Sequence, residues 1–158
     1  MPNYEESYVG RMRSLIGQEK LIVVATRAVI CDPQGRILFV QRKDNERWVM
    51  PSGALETTET LMEGMKREVK EETGLDVLRA IPMAIYTYPD SVTAYGDPYY
   101  QISLQFLVEE WTGTLLNETD ETTQARFFEV DLPPENCAAH YQEVLRDLRQ
   151  YQGQFLLR

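Results

Sequence analysis

Histidine is nearly missing from this chain of 158 residues, with His140 the single example, and only two cysteines occur, Cys31 and Cys137. The two cysteines stand far apart and in no metal or redox spacing. That excludes a zinc finger or a disulfide scaffold, and a reduced, cytoplasmic setting is expected. No apolar run approaches the roughly 20 residues that a membrane helix requires, so no membrane partner is expected. The opening MPNYEESYVGRMR is acidic and polar and carries no apolar signal-peptide core. Basic residues are outnumbered, 16 against 25 acidic ones, for a net charge of −9. A chain so acidic is poorly suited to wrapping a nucleic-acid backbone. It can still take a small phosphorylated ligand if divalent cations sit between the two negative partners.

What is present is ordinary for a soluble globular protein, with 43% hydrophobic and 26% charged residues. The length suits a single domain spanning 1–158, and no repeat, low-complexity tract or linker interrupts it. Residues 4–16 place Tyr8, Met12 and Leu15 at helical spacing before Gly17, making 1–18 a helical N-terminal extension. The dense LIVVATRAVI (21–30) predicts a buried strand. CDPQGR predicts a tight turn, and ILFVQR (37–42) is expected to return as the second arm of a hairpin. Further strands are expected at 48–51, at 78–89 with an interruption at Pro82, at 99–111 and at 125–130, with a loop over 90–98. A final helix is expected over 136–151, with Ala138, Tyr141, Val144, Leu145 and Leu148 as its apolar stripe. This order predicts an α/β (α+β) fold, a mixed central sheet flanked by helices.

The segment GALETTETLMEGMKREVKEETGL (53–75) crowds like charges into a helix. Thr60 and Glu63 fit a capping box, and Gly74 fits the left-handed position after a helix end. Glu68, Glu71 and Glu72 then share one face, while Met62, Met65 and Val69 form an apolar stripe about a quarter-turn away. Like charges at i,i+4 cost a few tenths of a kcal/mol each. A bound divalent cation would remove that cost, and oxygen ligands select magnesium, manganese or calcium over softer metals. The plain alternative is a solvated, salt-bridged helix face, with Glu63 and Arg67 as an i,i+4 pair.

The rest of the segment decides between these. Gly53, Glu59, Arg67-Glu68, Val69, Glu71-Glu72, Gly74 and Leu75 stand at the positions of a known signature: G, five residues, E, seven residues, then R-E-U-x-E-E-x-G-U with U aliphatic. Seven fixed matches have a chance probability on the order of 10⁻⁸ per starting position. The chain resembles the Nudix hydrolases, and 53–75 is similar to their Nudix box. RWVMPSG before the box and DETTQARFF after the long strand extend the resemblance. Ser52-Gly53 replaces the Gly-Gly pair of most members.

The resemblance implies a Nudix-type α/β/α sandwich and an enzyme that hydrolyses a nucleoside diphosphate linked to another group. Water would attack at phosphorus, with Mg2+ (or Mn2+) as cofactor. Glu68, Glu71 and Glu72 are the expected metal ligands, with the carbonyl of Ser52 completing the set and Glu68 the favoured base. Arg67 has the wrong charge for a ligand; its expected partner is Glu59, which would hold the glutamates in place, or else Glu63. A further acid is expected from Glu118, Asp120 or Glu121, and Glu121 fits the family pattern best.

On the substrate side the candidates are Arg42, Tyr86 and Tyr88. The two tyrosines belong to a cluster with Tyr95, Tyr99 and Tyr100 that could stack a base or simply pack a strand. His140 is read as a surface residue. The expected partner is a small nucleotide, ADP-ribose-like or a nucleoside triphosphate. Two other readings stand beside the hydrolase: a non-catalytic nucleotide-sensing module and an RNA 5′-end pyrophosphohydrolase. The N-terminal helix either caps the site or packs across a partner, and a homodimer is compatible with the sequence.

Overall fold

The computed structural model describes residues 4–93 and 96–158. A 3-10 turn (Tyr4–Glu6) leads into α1 (Tyr8–Ile16). There follow β1 (Leu21–Ile30), β2 (Ile37–Arg42), β3 (Trp48–Val49), β4 (Ser52–Ala54), α2 (Leu61–Thr73), β5 (Asp76–Val92), β6 (Pro98–Thr112), β7 (Thr122–Phe128), α3 (His140–Arg149) and β8 (Leu156–Leu157). Five strands form a mixed sheet in the order β4-β1-β6-β5-β8, and three form a second, antiparallel sheet, β3-β2-β7.

β1 and β2 do not form the expected hairpin. The turn itself forms, because the Asp32 carboxylate accepts from the amides of Gln34 (3.0 Å) and Arg36 (2.8 Å). Both edges of β1 are taken by more distant partners. β6 runs parallel along its whole length, Leu21 opposite Tyr99 to Ile30 opposite Val108, and β4 pairs antiparallel with Ala25–Arg27. A single bridge, Cys31 to Ile37, remains between the neighbours in sequence, and β2 pairs instead with β3 and β7.

Pro82 does not interrupt β5 either. It sits where the register with β6 shifts, a place that tolerates the missing N–H. β5 also runs on to Val92, into the segment expected as loop, and α3 is shorter than 136–151.

The strands alternate their side chains between two helical layers. Ala28 and Ile30 of β1 join Met65 and Val69 of α2 in one core, together with Leu38, Val40, Leu104 and Phe106. Val29 faces the other way and joins Tyr141, Val144 and Leu145 of α3, with Phe39, Met83 and Tyr86. This is the α/β/α sandwich, and it fixes α2 by its apolar stripe so that the acidic stripe beside it meets the edge of the sheet.

The ends of α2 are set locally. Thr60 accepts from the Glu63 amide (3.3 Å) while the Glu63 carboxylate accepts from the Thr60 amide (2.8 Å). Gly74 closes the helix at φ 77°, a left-handed conformation that costs glycine little.

Candidate active site

Glu68 and Glu72 stand one turn apart on α2, and both are buried, 2% and 1% exposed. β4 lies across them. The Ser52 amide donates to Glu72 Oε2 (2.9 Å), and Gly53 rests against the Glu68 carboxyl so closely that a Cβ there would lie 2.0 Å from Oε1. The second glycine of the usual pair is therefore the one this backbone requires, while Ser52 contributes an amide that a glycine would also supply.

A third carboxylate arrives from the loop before β7. Glu68, Glu72 and Glu121 each present an oxygen within 4.8 Å of the others. Thr119 selects Glu121 from its acidic neighbours. Its hydroxyl oxygen accepts from the amides of Glu121 (3.2 Å) and Thr122 (3.1 Å), folding the loop inward, and Thr122 Oγ1 donates to the Glu72 carbonyl (3.2 Å). Glu118 pairs with Lys43 (3.2 Å) at the surface, and Asp120 is exposed.

Glu71, the other expected ligand, stands outside this trio but close enough for its charge to act on Glu68 and Glu121. At i+3 from Glu68 it lies on the side of the helix toward Arg67, whose Nη1 donates to its Oε2 (3.2 Å).

Arg67 joins the acids to the loop ahead of α2. Its Nε and Nη2 fork onto Glu59 (2.9 and 2.7 Å), and its Nη1 donates to Glu68 Oε1 (2.6 Å). Glu59 is therefore the partner, while Glu63 is engaged in the capping box. The fork holds the Glu59 carboxyl below its ordinary value and pushes the Arg67 guanidinium up.

Arg42, at the end of β2, forks onto Asp44 (2.9 and 2.8 Å), and its charge is felt at both Glu72 and Glu121. Six carboxylates, those of Asp44, Glu59, Glu68, Glu71, Glu72 and Glu121, thus gather around the two guanidiniums of Arg42 and Arg67.

Burial acts against this negative surplus. It pushes the Glu68 carboxyl up to about 7, raises Glu72 well above the ordinary carboxylate range, and raises Glu121. Glu68 Oε2 is buried and accepts no hydrogen bond from the described residues. Hard oxygen donors, crowded and desolvated, suit a divalent cation of the magnesium, manganese or calcium type, so the residues present fit such an ion.

A cleft of about 270 Å3 opens beside the acids. Arg42, Gly53, Arg67 and Glu68 line it together with Val23, Ala25, Tyr99 and Gln101. Tyr86 is not among its residues. It is 1% exposed in the α3 core, where its hydroxyl donates to Asp147 (2.6 Å), so it offers no face to a base.

Tyr88 packs between Tyr86 (6.3 Å) and His140 (5.1 Å) and lines a neighbouring groove that shares Tyr99 and Gln101 with the cleft. Tyr99 is the tyrosine of the cluster that reaches the cleft among the described residues, which do not include Tyr95. Its signal was available in the alternation along β6, but choosing it required the β1–β6 pairing. His140 is not a free surface residue: it packs on Tyr141 (4.4 Å), and burial lowers its ring to about 4.

Comparison with known proteins places these features. A family model described as NUDIX domain matches residues 21–148. The chain is 29% identical over 128 residues to an ADP-ribose pyrophosphatase of Methanocaldococcus jannaschii, covering 78% of this chain and 72% of that protein. It is 34% identical over 106 residues to an 8-oxo-dGTP diphosphatase of Proteus vulgaris, covering 64% and 87%. Other relatives are matched over about a third of their length, 35% and 32% in two cases. Among solved structures, a MutT NUDIX hydrolase from Burkholderia pseudomallei superposes with a TM-score of 0.70 at 23% identity, over 82% of this chain and 99% of that one, a likeness of fold.

Proposed function

The chain belongs to the Nudix family of hydrolases, which act on acid anhydride bonds, and from that premise we propose that it is a magnesium-dependent pyrophosphohydrolase of a nucleotide derivative. The observation that carries the reading is the convergence of Glu68, Glu72 and Glu121 within 4.8 Å beside a cleft. These three carboxylates would hold the divalent cation, with the Ser52 carbonyl as a further oxygen. Manganese would serve in the same place. Such an ion neutralises phosphate oxygens and lowers the pKa of a water molecule.

The protein's own groups do the positioning, which is most of what phosphoryl transfer asks of a protein. Arg67 holds Glu68 by Oε1, which leaves Oε2 for the cation, and Glu68 is the carboxylate we assign as the one that would take the proton of the attacking water. Glu59 fixes Arg67 in turn, so a charged residue that touches no phosphate still sets the geometry. Glu71, next to Arg67 and within electrostatic reach of Glu121, stands ready on the outer side of the cluster. Arg42 reaches the cleft and supplies positive charge to the phosphate groups.

The names of the relatives suggest two substrate classes, ADP-ribose-like compounds and nucleoside triphosphates. A panel of both, incubated with magnesium or manganese and assayed for released phosphate or monophosphate, would identify the bond cut. Glu72→Gln keeps the shape of the side chain but removes a ligand charge. It is expected to lower metal-dependent turnover by about 10³-fold, and wild-type turnover in this variant would refute the assignment.

A further inference from the structure

The segment ahead of residue 21 lies outside the matched family domain, yet Tyr4, Ser7, Val9 and Arg13 line the same cleft as Gly53 and Glu68. Two ties hold it there. The Glu56 carboxylate accepts the Tyr8 amide with both oxygens (3.1 and 3.0 Å), at the first residue of α1, where the helix leaves its amides unpaired and its dipole favours a negative charge. At the other end, Arg13 Nη2 donates to the Pro98 carbonyl at the start of β6 (2.5 Å), and its Nη1 donates to Glu19 (2.7 Å) and Gly17 (3.2 Å). Gly10 allows the 3-10 turn to fold back on α1, since a Cβ there would lie 1.8 Å from the Tyr4 carbonyl oxygen. The first tie continues inward: the Glu56 amide donates to Glu59 Oε1 (2.9 Å), and Glu59 grips Arg67.

We infer that residues 4–16 are the wall of the substrate cleft that holds the nucleoside half of the substrate, with Glu56 and Arg13 as positioning residues that latch this wall shut. The inference rests on the pyrophosphohydrolase reading and deepens it. The chemistry of the lining supports a nucleoside: aromatic Tyr4 and Tyr99, the apolar surfaces of Val9, Val23 and Ala25, and the amide of Gln101. A volume of about 270 Å3 suits part of a nucleotide derivative rather than the whole, being just under the roughly 300–1,000 Å3 of sites that enclose a drug-sized ligand. Of the three converging acids Glu68 lines the cleft, beside Gly53 and Arg67, so the diphosphate lies toward Glu68 and the nucleoside lies toward α1. Arg13 itself is committed to three carbonyls, which makes it a clasp rather than a contact for the base.

The test uses the full chain with Glu56→Ala and Arg13→Ala, each cutting one tie, and Tyr4→Ala, which removes a ring that is 45% exposed and carries little of the core. Calorimetry with magnesium present measures adenosine monophosphate as the probe of the nucleoside half and inorganic pyrophosphate as the probe of the acidic end. Monophosphate affinity is expected to fall about tenfold in the latch variants and about threefold in Tyr4→Ala, while pyrophosphate affinity stays within about twofold of wild type. On a turned-over substrate, KM rises by about the same factor with kcat nearly constant.

Unchanged monophosphate affinity in all three variants overturns the inference. Equal losses for both probes also overturn it, because Glu56 would then act through Glu59 and Arg67 rather than through a wall. If the wild type turns over no nucleotide, the pyrophosphohydrolase reading fails on its own, and the monophosphate titration still reports on the wall.

Discussion

Glu68→Gln isolates what it costs to bury a carboxylate in the metal-free protein. Burial raises this carboxyl from 4.5 to about 7. The folded protein therefore holds the proton more tightly than the unfolded chain. Between those two values the folded state binds more protons, so stability falls as pH rises, with the full penalty present above about 7 and none below about 4.5. At 1.36 kcal/mol per unit, the penalty is about 3 kcal/mol at pH 8.5 and about 1 kcal/mol at pH 5.5. Glutamine keeps the acceptor for Arg67 but cannot ionise.

In urea unfolding with EDTA, the stability of Glu68→Gln relative to wild type should therefore rise by about 2 kcal/mol from pH 5.5 to 8.5, moving the relative midpoint by on the order of 1 M. Glu72 and Glu121 are raised in the same direction, and because the Glu68 charge adds to the rise of Glu72, the variant also loses part of the Glu72 slope, a change of the same sign. Magnesium should narrow that gap at pH 8.5, because the wild type gains about 2.7 kcal/mol at a hundredfold excess over Kd while the variant gains less. Parallel curves in EDTA across this range would refute the account of Glu68 as a buried acid that Arg67 compensates only in part.

Gly53→Ala places a methyl group where the Glu68 carboxyl lies, 2.0 Å from Oε1. Manganese affinity, read by electron paramagnetic resonance, should fall by about tenfold or more, and unchanged affinity would show that β4 does not set the position of Glu68. Tyr86→Phe removes the hydrogen bond to Asp147, whose carboxylate keeps Arg158 at 2.8 Å. It should cost about 1–2 kcal/mol of stability by urea unfolding and leave KM within about twofold, whereas a large KM change would return Tyr86 to the substrate site.

The helix that bears the acids was legible because its information is local. Thr60, Glu63 and Gly74 fix its ends by hydrogen bonds within a few residues, and the 3.6-residue period puts Glu68 and Glu72 on one face whatever surrounds them. The partnership of Arg67 with Glu59 was legible as one of two choices, and the capping box, by occupying Glu63, favours the one observed. The third acid was narrowed to three neighbours, and the choice fell to the Thr119 turn and its contact with the end of α2.

The remaining features depend on contacts between residues far apart in the chain. The β1 to β2 turn has hairpin chemistry, yet β6, some seventy residues on, and β4 take the edges of β1. Tyr86 and Tyr88 alternate with polar neighbours as a stacking platform might, but α3 covers one and closes on the other. Residues 4–16 read as a helix with an open role until Glu56 and Pro98 hold it against the acids. Sequence alone determined which groups carry charge and how one helix displays them, because backbone periodicity and capping act over a few residues. Only the tertiary structure decided which of those groups meet and which surface covers them, because strand edges and helix faces choose partners by competition across the whole chain.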